Sequence, residues 1–462
     1  MKKILALLIA VGLLLSACSP TSSTAGSESS FLISSSSSSE IQSSEIQSSS
    51  SSRSVSSELL PESSSQSQPS LPASPSSSSK ASSTPTSSIP PSSSAPPASS
   101  APASSQQVSS IPLASPSDFT AISPSSYYAY NQLNKNQQKV YNALVKGIEE
   151  MKTRIDLSSF QVTTDEFSVV LNHYQDDYPQ HFWISGNYEC YYIGNYVTGV
   201  KPVYACTAEE KASMQKKIDK EIENILSGAP AKASHYEMEL YLHDWLVKNV
   251  DYDQSVSGSN IYDIYGALVD KKAVCEGYAK AFQHLLRTCG IQSLMISGYL
   301  EDQNHAWNMV LLDNDFYHVD VTWDDPVNSD GTPNTTVYHS YFNLTADQIK
   351  ENHVFYQNSF SIPAAASLQY NYFVVENAVI GSLSGENETK ILNVIKKALS
   401  QGNRYFEFRV SGDYESFKAQ YLKNWAISPL IQKAAGEVGT AVQEKYSYGQ
   451  SAPSVVTVYL NY

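Results

Sequence analysis

The chain has 462 residues, with 30 Lys and Arg against 45 Asp and Glu and a formal net charge of −15. Residues 1–118 hold only four basic and six acidic side chains, so −13 of that charge falls on the rest of the chain. So acidic a body lacks the clustered cations that nucleic acid or docking on anionic lipid would need, which excludes both as electrostatic partners.

Lys2 and Lys3 precede an apolar run from Ile4 to Leu15, broken only by Gly12. Twelve helical residues fall well short of a ~30 Å hydrocarbon core, so residues 1–18 read as a signal peptide rather than a membrane span. The run ends in Leu15-Ser16-Ala17-Cys18, which resembles the lipobox of bacterial lipoproteins. That resemblance implies a diacylated Cys18 as the mature N-terminus, and an extracytoplasmic protein held by lipid on the outer face of a cell membrane. Roughly half of residues 19–117 are Ser, with much Pro, Ala, Thr and Gln. Such a stretch has too little apolar surface to offset chain entropy and reads as a disordered Ser/Pro-rich linker. Its reach as a flexible coil is about 55 Å, enough to carry a domain into a cell wall.

An N-terminal extension follows over residues 118–230. Val140, Tyr141, Leu144, Ile148 and Met151 share one face of a helix opening near Asn134. Phe167, Val170, Leu171 and Tyr174 share one face of a second, which follows Thr164 and stops at Pro179. Residues 181–205 are rich in strand formers broken by Gly186, Gly194 and Gly199, the pattern of an antiparallel meander. Thr207 with Glu210, and Ser234 with Glu237, are capping boxes that open two more helices. The first of these ends near Leu226, before Gly228 and Pro230.

Residues 260–326 carry the chemistry. Ala279, Phe282, Leu285 and Leu286 give helical spacing just after Cys275, which places the thiol in the first turn of an amphipathic helix. The partial positive charge there favours an anion such as thiolate, the nucleophilic form of Cys. His305 opens a strand of about eight residues, and an imidazole can take the thiol proton and later return it to a leaving group. Asp320 lies in a strand read as Tyr317–Trp323, and a carboxylate on one imidazole nitrogen fixes the tautomer. Antiparallel pairing of the two strands through a turn at Asp313-Asn314-Asp315 lets His305 and Asp320 meet. Tyr317, Val319, Val321 and Trp323 then point to the core, with His318, Asp320 and Thr322 on the other face. Beyond Pro326, strand-like Tyr372–Ile380, a helix around Ile391–Leu399, and strand-like Tyr405–Val410 and Val455–Tyr462 suggest a small α/β unit over residues 366–462.

The blocks YGALVDKKAVCEGYAKAF, HAWNMV and YHVDVTWDDP resemble those of the transglutaminase-like superfamily, whose core is papain-like. HYEMELYLHDWLVKNVDYD resembles the stretch that precedes the Cys block, giving a catalytic domain over residues 231–365. The resemblance implies an α+β fold, with Cys275 as nucleophile, His305 as base and Asp320 as the group that orients it. It also implies a cysteine acyltransferase or peptidase, acting through a thioester on a peptide or protein amide, with water or an amine as acceptor. A lipid anchor and wall-spanning linker add cell-wall or surface peptides as substrate class. The alternative is a non-catalytic binding or scaffold module that keeps the fold.

No cofactor is expected: no acidic loop resembles an EF-hand, and His243, His284, His318 and His339 lack a metal-ligand pattern. Trp307 and Trp323 are candidates to wall the cleft, with packing an equal reading. Cys289 reads as core. Cys190 and Cys206, sixteen apart in an exported domain, are candidates for a disulfide that sequence spacing leaves open.

Overall fold

A computed structural model describes residues 29–34, 120–300, 303–327, 336–356 and 360–462. Cys18, the signal peptide and most of the Ser/Pro-rich segment lie outside the described residues. The exception is a strand, β1 (Ser29–Ser34), formed around Phe31-Leu32-Ile33, an apolar run within a segment read as wholly unstructured. It pairs antiparallel with β2 (Ile184–Ile193), Phe31 opposite Cys190.

Side-chain caps place the N-terminal helices. Asn134 opens α1 (Lys135–Glu149) and Thr163 opens α2 (Thr164–Asp177), each with a complete capping box. β2 and β3 (Tyr196–Tyr204) form the hairpin of the meander. Thr207 and Ser234 cap α3 (Ala208–Ser227) and α4 (His235–Asn249) through the expected Glu210 and Glu237.

The central layer packs α5 (Cys275–Thr288) against an antiparallel sheet. That sheet contains β4 (Ser293–Leu300), β5 (Gln303–Leu312) and β6 (Asp315–Val319), with β7 (His353–Phe355) beyond β4, in the order β6-β5-β4-β7. β6 stops four residues short of the expected Trp323. Residues 321–324 turn instead, which leaves Trp323 39% exposed while His318 and Asp320, read as facing away from the core, are buried.

The C-terminal unit lays α6 (Glu386–Ser400) and α7 (Ser428–Val438) on a sheet of β8 (Tyr405–Val410), β9 (Tyr446–Ala452) and β10 (Val455–Leu460). The expected strand Tyr372–Ile380 is a short helix, Tyr372–Val375, followed by a two-residue strand. Packing overrides β-propensity there: Phe373 is fully buried and the Tyr372 ring stacks on His339 at 3.9 Å.

Two apolar clusters bracket the sheet. One runs from the N-terminal helices through α4 and α5 to Val310, Tyr317 and Val319. The other joins Leu294, Ile296, Trp307 and Met309 to the C-terminal unit. Among the described residues no helix is long and apolar enough to cross a membrane.

Candidate active site

α5 begins at Cys275 with no side-chain cap, so its first amides lack intrahelical partners around the sulfur. The first turn lies hard against the chain before it. Val274 N–H donates to Ile261 O, and a Cβ on Gly277 would fall 2.4 Å from that same carbonyl. Glycine at 277 is what allows this approach. The cysteine itself is half-buried.

His305 stands near the start of β5 and is 8% exposed. Its Nε2 lies 2.6 Å from Asp320 Oδ2, and the Cys275 side chain is near enough to act on the charge of the same ring. With Nε2 taken by Asp320, Nδ1 is the nitrogen left for the sulfur. Burial opposes charge on this ring, but the Asp320 carboxylate and the nearby Cys275 side chain outweigh it and hold His305 up at about 10. Burial likewise opposes charge on Asp320, yet His305 and then His353 hold its carboxyl below the usual range. The register explains the reach. Val319 opposes Asn308, so Asp320 leaves the sheet one step on and reaches diagonally back to His305.

Two neighbours of this site carry no local sequence signal. His353 enters from β7 and puts Nε2 2.9 Å from Asp320 Oδ2. Tyr252 stacks on Tyr278 of α5, and its phenol is pushed up first by burial and then by charge at Cys275, Tyr262 and Asp320. The aspartates after Asp320 are held as well. Asp325 accepts from Tyr278 Oη at 2.5 Å and is pushed up by burial to about 7. Asp324 Oδ2 faces His243 Nε2 at 3.2 Å.

From Asp324 a buried chain of rings and carboxylates continues. His243 Nδ1 faces Asp244 Oδ1 at 3.2 Å, which faces His339 Nε2 at 2.9 Å, while His339 Nδ1 faces Glu407 of the C-terminal unit at 3.4 Å. His243 and His339, read as lacking a metal-ligand pattern, thus each meet a carboxylate distant in sequence, Asp324 for His243 and Asp244 and Glu407 for His339. The sets His243, Asp244, His339 and His305, Asp320, His353 each gather donor atoms within 4.8 Å, the spread a cation would need. The distances just given are those of hydrogen bonds within each set.

The remaining candidates resolve as follows. Trp307 is 1% exposed, so it packs rather than walls a cleft; its Nε1 donates to His318 Nδ1 at 3.1 Å. Trp323 is exposed and its backbone N–H donates to Asp320 Oδ1 at 3.2 Å. Cys190 and Cys206 are both free. Cys190 opposes Val200, and Cys206 lies six residues further along β3 and its exit, about 20 Å at strand rise. That is far beyond the Cα separation a disulfide tolerates. Cys289 is buried, and burial pushes its thiol up to about 12.

A family model for the transglutaminase-like superfamily matches residues 223–321, which contain the cysteine, histidine and aspartate described above. Kyphoscoliosis peptidase of Mus musculus and that of Homo sapiens are each 26% identical over 117 residues, covering 22% of this chain and 18% of theirs. The chain thus spans under a fifth of the length of these curated relatives. A crystal structure of a TGase is similar over 28% of this chain and 42% of that one, at 15% identity and a TM-score of 0.22. The mixed helix-and-strand fold of this chain is thus built around a transglutaminase-like core.

Proposed function

We propose that the chain is a thiol enzyme that cleaves or transfers amide acyl groups, with Cys275 as nucleophile, His305 as proton carrier and Asp320 as its orienting carboxylate. The observation that carries this reading is one imidazole held at 2.6 Å by a buried carboxylate, with a cysteine at an uncapped helix start close enough to act on its charge. Such a ring takes the thiol proton, and the sulfur attacks the amide carbonyl carbon. The free Cys275 amide and the Tyr252 hydroxyl are the donors proposed for the developing oxyanion. His305 then protonates the departing amine, leaving an acyl thioester. Water or an amine attacks that thioester as His305 accepts its proton, and Cys275 is released. In this reading Cys18 carries the lipid anchor, and the substrates are amides of cell-wall or surface peptides and proteins.

Iodoacetamide labelling across pH tests the chemistry. Cys275 is expected to alkylate faster than Cys206, and more slowly and with a different pH dependence in His305→Ala. Ordinary thiol reactivity that is the same in both proteins overturns the reading and leaves a scaffold that keeps the fold. Incubation with a Gln-containing peptide, with and without an amine donor, separates transfer from hydrolysis.

A further inference from the structure

We propose that His353 is a positioning residue for the thiol chemistry: its Nε2–H is a second imidazole donor on the Asp320 carboxylate that orients His305. Asp320 Oδ2 receives His305 Nε2 at 2.6 Å and His353 Nε2 at 2.9 Å, while Oδ1 takes the Trp323 amide. Both the Asp320 and His353 side chains are out of solvent. The carboxylate therefore has three donors and one fixed orientation. His353 reaches it from edge strand β7, paired through Leu300 to β4, and lies outside residues 223–321.

The hydrogen on Nε2 follows from what surrounds the ring. His353 Nδ1 lies 2.7 Å from the Asn352 side-chain amide, whose other end is 2.6 Å from Tyr341 Oη. If the amide presents oxygen to Nδ1, that nitrogen carries a hydrogen; if reversed, it accepts one. In either orientation an ionised Asp320 requires the hydrogen of Nε2. Aromatic neighbours hold the ring in place: Trp307 edge-on at 5.0 Å, with His305 at 5.5 Å and Tyr341 at 5.6 Å.

Two rings on one oxygen share its basicity. Removing His353 leaves the carboxylate's full field on His305, which raises the affinity of that ring for its proton. It also frees the carboxylate to rotate, so His305 faces the sulfur less constantly. The other groups that act here are Cys275 from α5, Tyr252, Tyr341 beside Asp320, and His318, on which both His353 and Lys350 act.

The test deepens the thiol-enzyme reading, on which it rests, and uses the folded chain with two readouts. The first is the imidazole 15N titration of His305, and the second is the pH profile of Cys275 alkylation by iodoacetamide. In the unmodified protein His353 must show a protonated Nε2 from pH 5 to 9; an unprotonated Nε2 overturns the proposal without recourse to any variant. His353→Phe keeps a ring in the aromatic nest but removes the donor. It is expected to shift the His305 titration upward and to slow alkylation about 10-fold or more, the scale of cost for a misplaced reacting group. His353→Gln, whose amide N–H can stand where Nε2 does, is expected to restore both readouts. Wild-type behaviour in His353→Phe, or equal defects in Phe and Gln variants, reduces His353 to packing. An upward His305 shift together with a Cys275 that is unreactive in every variant upholds the positioning contact and sinks the thiol-enzyme reading instead.

Discussion

Burial, and then charge at Cys275, Tyr262 and Asp320, push the Tyr252 phenol up, and its ring is braced on Tyr278 of the cysteine helix. In the proposed chemistry its hydroxyl is one of the donors to the developing oxyanion. Tyr252→Phe is expected to slow acyl-enzyme formation about 100-fold, the usual loss for one oxyanion donor, with little change in unfolding midpoint. Single-turnover acylation measured beside a denaturant melt checks both halves, and an unchanged rate removes Tyr252 from the chemistry. The sequence points to Cys275, His305 and Asp320 because each lies in a block with its own pattern of spacing. His353 could not be read this way, since it meets Asp320 across 33 residues and no local periodicity records that contact. Trp323 misled for a related reason: alternation continues past Val319, but the chain turns away from the sheet there to bring the aspartate carboxylates inward.

Helix α5 is fixed at its far end by Arg287, which donates to Asp177 O at 2.6 Å and to Asp177 Oδ1 at 3.2 Å. Asp177 also accepts from Tyr141 Oη at 3.0 Å and from the Tyr130 amide at 3.1 Å, so one carboxylate ties the N-terminal extension to the cysteine helix. Burial pushes the Asp177 carboxyl up in spite of Arg287, which marks a pair whose desolvation is costly. Removing one partner strands the other charge in the interior, and Arg287→Ala is expected to lower stability by about 3–5 kcal/mol. Equilibrium unfolding in urea measures this, and a loss below about 1 kcal/mol would mean the pair is solvated. Such elements are legible where the code is local: the two capping boxes read from the sequence, Thr207 with Glu210 and Ser234 with Glu237, open the helices they mark. They are illegible where distant packing decides, as in Tyr372–Val375, whose strand-forming residues coil to bury Phe373.

At the scale of the whole molecule, the sheet is an inner wall shared by two apolar clusters, one reaching into the N-terminal extension and one into the C-terminal unit. Several buried groups titrate from above their ordinary values: Asp325 at about 7, Glu239 at about 8, and His305 and His339 at about 10. Burial raises the two carboxyls. For the two rings burial acts the other way and is outweighed by carboxylates, Asp320 for His305, and Asp244 with Glu407 for His339. In each case the folded state holds a proton more tightly than the unfolded chain, so the stability it lends is full at low pH. It is lost as pH rises through the folded value. The thermal midpoint is therefore expected to fall steadily from pH 6 to pH 10, and less steeply in His339→Gln; a midpoint that rises over that range contradicts the assignment. Asp244 and Asp320, held low, act oppositely and withdraw their contribution only in acid.

The buried line from Glu407 through His339, Asp244 and His243 to Asp324 sets four imidazole nitrogens against four carboxylate contacts. Two neutral rings own only two hydrogens between them. The other two must be drawn from solvent, onto the rings or onto Asp324 and Glu407, whose carboxyls burial pushes up. Assembly of this protein at neutral pH is thus a net consumer of hydrogen ions. Its heat of refolding will scale with the ionisation enthalpy of whatever buffer supplies them.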